Sequence, residues 1–133
     1  ASFNYTWIDT HGLRGGTRYL TRRDVVGFIP HTANATLSWR HRSGFSARAL
    51  YNFTGEHITS LSAVTTPGLN QYRFSYKTLN LGVSYQYSPS LGFTLDVANV
   101  FNAPQELYMG TKDRLRQSIT NFVTMAIGLN GRF

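Results

Sequence analysis

Residues 79–88 read LNLGVSYQYS, with Leu79, Leu81, Val83, Tyr85 and Tyr87 at the odd positions and Asn80, Gly82, Ser84, Gln86 and Ser88 at the even ones. A strand sends successive side chains to opposite faces, whereas a helix repeats every roughly 3.6 residues. The stretch therefore predicts a strand with one apolar and one polar face.

The same period of two continues on both sides of it. Downstream, residues 93–102 set Phe93, Leu95, Val97 and Phe101 against Thr94, Asp96, Ala98 and Asn102, with Asn99 interrupting the apolar face. Residues 119–133 set Ile119, Val123, Met125, Ile127, Leu129 and Phe133 against Thr120, Thr124, Ala126, Gly128, Asn130 and Arg132, with Phe122 out of pattern. Upstream, residues 45–54 place Phe45, Ala47, Ala49, Tyr51 and Phe53 opposite Ser46, Arg48, Asn52 and Thr54, with Leu50 out of pattern. Residues 33–42 place Ala35, Leu37 and Trp39 opposite Asn34, Thr36, Ser38 and Arg40, and near the start Phe3, Tyr5 and Trp7 oppose Ser2, Asn4 and Thr6. The expectation is an all-β chain of six strands with no helix.

Connection lengths alternate along this series. Residues 42–44 and 88–92 are short turns carrying Gly and Pro, the chemistry of hairpins. Residues 10–30, 58–70 and 103–117 are long and polar. An antiparallel meander with short turns at one end and long loops at the other is the pattern of transmembrane barrels, with short periplasmic turns and long extracellular loops. Aromatics follow the same division. Trp39, Phe45, Tyr87, Phe93 and Phe133 fall at the short-turn end of the apolar face, and Trp7, Phe53 and Phe101 near the long-loop end. Amphipathic rings are most stable at the two interfaces of a bilayer.

Composition is consistent with this reading. The 133 residues include no Cys, which removes disulfides, thiolate-held zinc and thiol nucleophiles. A mean hydropathy of −0.25 rules out a helical membrane protein. A transmembrane strand escapes that limit because only every second residue must be apolar. The net charge of +7 comes from eleven Arg and two Lys. These do not form the aromatic-interleaved basic stripe that nucleic acid requires, so no nucleic-acid partner is expected. Arg14, Arg18, Arg22 and Arg23 cluster in the first long loop and are the residues expected to meet an anion, lipopolysaccharide phosphate or an acidic ligand. A merely solvated loop is the competing reading. Arg40, Arg48, Asn80 and Asp96 fall on the polar face, where charges must be solvated or paired and would line the wall of a lumen.

No catalytic constellation emerges, and no enzyme activity is expected. His11, His31, His41 and His57 lack metal-ligand spacing, so exposed loop histidines with no metal or cofactor are expected, a metal or haem contact by His11, His31 or His57 at the long-loop end being the competing reading. Ser60, Ser62 and Asp9 join the loop histidines only by position. The residues 15–18, Gly-Gly-Thr-Arg, lack the lysine and following helix of a phosphate loop.

The segment FTLDVANVFNAPQELYMG, residues 93–110, and the terminal strand ending GLNGRF resemble the C-terminal end of TonB-dependent outer-membrane receptors. Val97, Asn99, Val100, Phe101 and Asn102 match the V-x-N-[LV]-F-[ND] element of that family, and Phe133 its terminal aromatic. Gly131 departs from the pattern, which more often has a bulky apolar residue there. The resemblance implies a 22-stranded barrel of which residues 1–133 form the last six strands. It also implies a plug domain that this chain does not contain, energy from the TonB complex acting through that plug, and uptake of a small-molecule nutrient across the bacterial outer membrane. Phe133, Leu129, Ile127 and Met125 would then act as the assembly signal, with outer-membrane lipid, lipopolysaccharide, the plug and the remaining strands as partners. The alternative is a soluble antiparallel β-domain that binds an anionic ligand or nucleic acid through its basic loops.

Overall fold

The computed structural model describes residues 1–9, 12–14, 21–23, 25–62 and 67–131, with residues 12–14, 21–23 and 67 described by backbone alone. It is all-β, with a single 3-10 turn among the described residues, at Pro67–Leu69. Twelve strands follow in chain order: β1 (Ser2–Trp7), β2 (Gly12–Arg14), β3 (Thr21–Arg23), β4 (His31–Arg40), β5 (Phe45–Thr54), β6 (His57–Ser60), β7 (Gln71–Arg73), β8 (Tyr76–Ser88), β9 (Leu91–Ala98), β10 (Gln105–Met109), β11 (Thr111–Ile119) and β12 (Thr124–Gly131).

The main sheet has the order β1-β4-β5-β8-β9-β12, antiparallel at every pairing, and it is not closed. These are the six strands that the alternation predicts. A second sheet has the order β11-β10-β7-β6, and β2 pairs with β3. The second order repeats that of β12, β9, β8 and β5 in the main sheet, because each short strand is the continuation of a long one. β5 passes into β6 after Gly55 and Glu56, β7 into β8 after Phe74 and Ser75, β9 into β10 across residues 99–104, and β11 into β12 across residues 120–123. β2 and β3 pair with each other alone among the described residues. Four long strands thus run on across a crease from the main sheet into the second, and what read as long polar loops at residues 58–70 and 103–117 are largely the outer ends of these strands.

Two sequence expectations are corrected by the crease. Residues 119–133 do not form one strand: Ile119 ends β11 and β12 begins at Thr124. Residues 93–102 do not form one strand either, since β9 stops at Ala98. The cause is local, because Asn99 and Asn102 hold φ of 55° and 46°. This left-handed conformation is one that Asn tolerates better than most residues, and it cannot continue a pleat. Backbone bonds stitch across the crease, among them Ile8 N–H to Pro30 O, Gly55 N–H to His31 O, Gly27 N–H to Ile58 O and Phe74 N–H to Glu106 O, at 2.7–3.2 Å.

At the other end the connections are tight. In the β4–β5 turn, Gly44 has φ of 84°, and a Cβ there would lie 2.5 Å from the Gln86 carbonyl oxygen, so both conformation and space demand glycine.

Register carries the alternation across the whole main sheet. Leu37, Ala49, Leu81, Val97 and Met125 form one continuous row, and Trp39, Ala47, Val83, Leu95 and Ile127 the next. Both rows lie on the same face, and among the described residues no element packs on it. Ile127 is 84% exposed, Met125 65% and Leu37 60%. Among the described residues, the only hydrophobic side chains in the buried class are Ile58 and Tyr108, and both lie beyond the crease.

Candidate functional site

Three regions carry the chemistry of the molecule. The first is the uncovered apolar face. Aliphatic and alanine side chains occupy its middle rows, and aromatics bound it. Phe45, Tyr85 and Phe93 share one row, with Trp39 and Tyr87 beside it, at the short-turn end. Trp39 packs its ring 5.6 Å from both Phe45 and His41. At the crease end, Phe3 and Tyr5 of β1 face Tyr51 and Phe53 of β5 across Ala35 and Ala33 of β4, Trp7 follows Tyr5 on the same face, and Phe101 lies 6.4 Å from Tyr51 and under the Lys77 ammonium at 5.6 Å. Tyr5 also bonds His31 at 2.8 Å. Met125, Ile127 and Leu129 lie on this face, as the alternation requires. Phe133 lies outside the described residues.

The polar face is the second region. Its side chains are short: Ser46, Ser84, Thr94 and Gly128 fall in one row, with Ser46 and Ser84 bonded at 2.6 Å. In the next row Arg48, Gly82 and Asp96 are aligned, and Arg48 Nη2 reaches Asp96 Oδ1 at 2.9 Å over the bare glycine. A cavity of about 490 Å³ opens over these rows and is also lined by Arg40. Asn80 has a different task. Its Oδ1 accepts the Asn99 backbone N–H at 3.0 Å, which caps the end of β9. Of the four polar-face residues named from the sequence, two form an ion pair, one lines the same cavity and one holds the crease.

Asn99 and its neighbours show what the V-x-N-V-F-N element does in this chain. Val97 lies in the apolar rows, Asn99 donates its side-chain N–H to the Asn121 carbonyl, Val100 N–H bonds Leu79 O at 2.9 Å, and Asn102 N–H bonds Asn99 O at 2.8 Å. The element is a turn that redirects β9 and ties it to both neighbouring strands.

The third region lies on the crease and was not visible as a cluster in the sequence. Tyr108 is 4% exposed, stacked on Tyr72 at 5.1 Å and tilted against Phe74 at 4.6 Å. Its hydroxyl donates to Glu56 Oε1 at 2.7 Å, and Lys112 Nζ lies 2.8 Å from Glu56 Oε2. Burial pushes the Glu56 carboxyl up, but the hydrogen bonds from Lys112 and Tyr108 and the ammonium charge outweigh it, holding the group below its ordinary value of 4.5. Burial, then the bond to Glu56 and its charge, raise Tyr108 above the ordinary 10.0. One carboxylate thereby joins the β5–β6 junction to β10 and β11. Nearby, Asn70 is 2% exposed and accepts from Ser62, closing the β6–β7 tip.

Arg14, Arg22 and Arg23 fall on β2 and β3, where only the backbone is described, and Arg18 and His11 lie outside the described residues. His41 stands at the short-turn end while His31 and His57 lie near the crease on either side of Gly55, and no group of three or more His, Asp or Glu among the described residues is placed to hold a metal ion. No known protein family, curated protein or solved structure matches the chain.

Proposed function

We propose that this chain is a stretch of transmembrane β-barrel from the bacterial outer membrane, part of a non-catalytic TonB-dependent uptake receptor whose further strands pair with the open edges of β1 and β12. The observation that carries the reading is the apolar face, continuous over six strands, uncovered, and bounded at both ends by aromatics. β4 and β5 have ten residues each, within the roughly 9–11 that a tilted strand needs to cross hydrocarbon. From Phe45 to Phe53 the strand runs about 26 Å at ~3.3 Å per residue, which at a tilt of about 40° spans roughly 20 Å of depth, against an apolar band of about 25 Å in outer-membrane barrels. Open edges are not tolerated in hydrocarbon, so the six strands must be completed by others.

In this reading the polar face lines the lumen, the turns at Gly44 and Pro89 face the periplasm, and the creased outer strands stand above the membrane. The plug, the TonB complex, lipopolysaccharide and a small-molecule nutrient are the partners it implies, with Arg14, Arg18, Arg22 and Arg23 directed at an anion and Phe133, with Met125, Ile127 and Leu129, at assembly. A soluble domain binding an anion or nucleic acid through basic loops would have to cover the apolar face with a further layer.

The two tryptophans offer a direct test, because Trp7 and Trp39 stand at opposite ends of the apolar face. The complete barrel that contains these strands, folded into vesicles with brominated lipids, should show the fluorescence of both quenched, most strongly by bromines near the headgroups. Trp7→Phe and Trp39→Phe separate the two. A monodisperse chain that needs no detergent and shows no quenching would overturn the proposal.

A further inference from the structure

Two cavities on the polar face, of about 490 and 550 Å³, share Arg40, Ser46, Ser84 and Thr94 and so form one trough, running from the Arg48–Asp96 pair to the β4–β5 turn. Arg42 and Asn130 join the lining at the turn end. We propose that this end of the trough binds a phosphate group, carried by inorganic phosphate or by the phosphomonoester of a small molecule. The site lies on the polar face whatever meets the apolar one, so it goes beyond the receptor reading, which only makes it part of the lumen wall.

Unpaired cations set the sign of the ligand. Arg48 is met by Asp96 at 2.9 Å, whereas the guanidinium groups of Arg40 and Arg42 have no ion pair or hydrogen bond among the described residues. The turn that carries Arg42 is tied down: His41 N–H bonds Phe45 O at 2.8 Å, Gly44 N–H bonds His41 O at 3.3 Å and Gln86 N–H bonds Gly44 O at 2.9 Å. Little ordering is left for a ligand to impose on that backbone. The number of donors decides the chemical class. A single guanidinium satisfies both oxygens of a carboxylate through a bidentate pair, which would leave the second arginine unmet. A phosphomonoester carries three terminal oxygens and a charge of about −1.5 to −2 at pH 7, enough for both. Further donors stand beside them. Ser46 and Ser84 are bonded at 2.6 Å, which uses one of their two hydroxyl protons and leaves the other to donate. The Asn130 amide adds two N–H groups. At about 550 Å³ the turn-end cavity lies within the roughly 300–1,000 Å³ of small-molecule sites, so it has room for an organic remainder beside the phosphate.

Isothermal titration of the complete protein that contains these strands, in detergent and phosphate-free buffer, tests this with inorganic phosphate, glycerol 2-phosphate and succinate. Succinate spreads the same charge over two separate carboxylates. It should bind at least about 10-fold more weakly than the better phosphate, the lower end for losing a hydrogen bond to a charged group. Binding of inorganic phosphate alone makes the ligand the free ion; tighter binding of glycerol 2-phosphate makes it a phosphomonoester. Arg40→Gln should weaken phosphate binding by about 10-fold on the same scale, and Arg42→Gln gives a second reading should Arg40→Gln not fold. Arg114→Gln on β11, outside the trough, should leave binding unchanged. No binding of either phosphate, succinate bound as tightly, or affinity unchanged in folded Arg40→Gln and Arg42→Gln would each overturn the proposal. Phosphate binding by a protein that stays out of bilayers would keep the site and remove the receptor reading; insertion without phosphate binding would do the reverse.

Discussion

Arg48 and Asp96 are paired at 2.9 Å although β8 runs between their strands, because the residue directly between them is Gly82. A Cβ on Gly82 would lie 2.6 Å from Arg48 Nε and 2.7 Å from Asp96 Oδ1, so any side chain there pushes the partners apart. Both groups are well exposed, and a solvated pair of this kind contributes less than about 1 kcal/mol. A double-mutant cycle with Arg48→Ala and Asp96→Ala should find a coupling of that size in the parent and none in Gly82→Val. The unfolding midpoint of Gly82→Val itself should barely move, since Val is the better strand former and offsets the lost pair.

Asn99 is chosen for its backbone before its side chain. At φ of 55°, Asn99→Ala pays about 1–2 kcal/mol for a left-handed conformation that Ala resists. Asn99→Gly avoids that cost and loses only the bond to the Asn121 carbonyl. Urea unfolding should therefore rank Ala below Gly by about 1 kcal/mol. Equal losses would show that the hydrogen bond, and not the conformation, selects Asn.

The six strands were legible because period-two alternation is long and uniform in the main sheet. The crease was not, for a reason of arithmetic. Residues 55–56, 74–75, 99–104 and 120–123 are breaks of two, two, six and four residues, all even. An even break leaves the alternation in phase on its far side, so Ile119 and Met125 read as one strand although they lie in two sheets. The Glu56 cluster was hidden differently. Its members Glu56, Tyr108 and Lys112 are brought together by pairings between strands far apart in sequence, which no local pattern encodes. Arg48 and Asp96 were readable as residues of one face, but their contact depends on the register that puts Gly82 between them.

The Glu56 cluster predicts a two-sided pH dependence for the outer strands. Glu56 is lowered in the folded chain, so its stabilisation is present above 4.5 and is lost as the pH falls through its folded value. Tyr108 is raised, so its contribution is present below 10.0 and is lost as the pH rises through its folded value. Protection of the amides in β6, β7, β10 and β11 against hydrogen exchange, relative to the intrinsic rate at each pH, should be highest between these limits. Lys112→Gln should move the acid limb to higher pH, and Tyr108→Phe, which keeps the stacking ring, should remove the tyrosine's alkaline limb. Identical acid limbs in the parent and Lys112→Gln would count against the ammonium as what holds Glu56 down.

Ile127 and Ala126 are adjacent in β12 but belong to opposite faces, and the register sets Ile127 against Leu95 and Ala126 against Asp96. If the apolar face meets lipid, Ile127→Arg places a charge in hydrocarbon at about 2–4 kcal/mol near the midplane. Ala126→Arg places the same charge on the polar face beside a carboxylate. Protease protection in vesicles should then show insertion largely lost for Ile127→Arg and retained for Ala126→Arg. A soluble domain predicts another outcome, because arginine on a naked apolar face would raise solubility in water without loss of fold. The two variants differ by one position and carry the same added charge, so net charge and composition cancel between them. What remains is the face on which the side chain emerges.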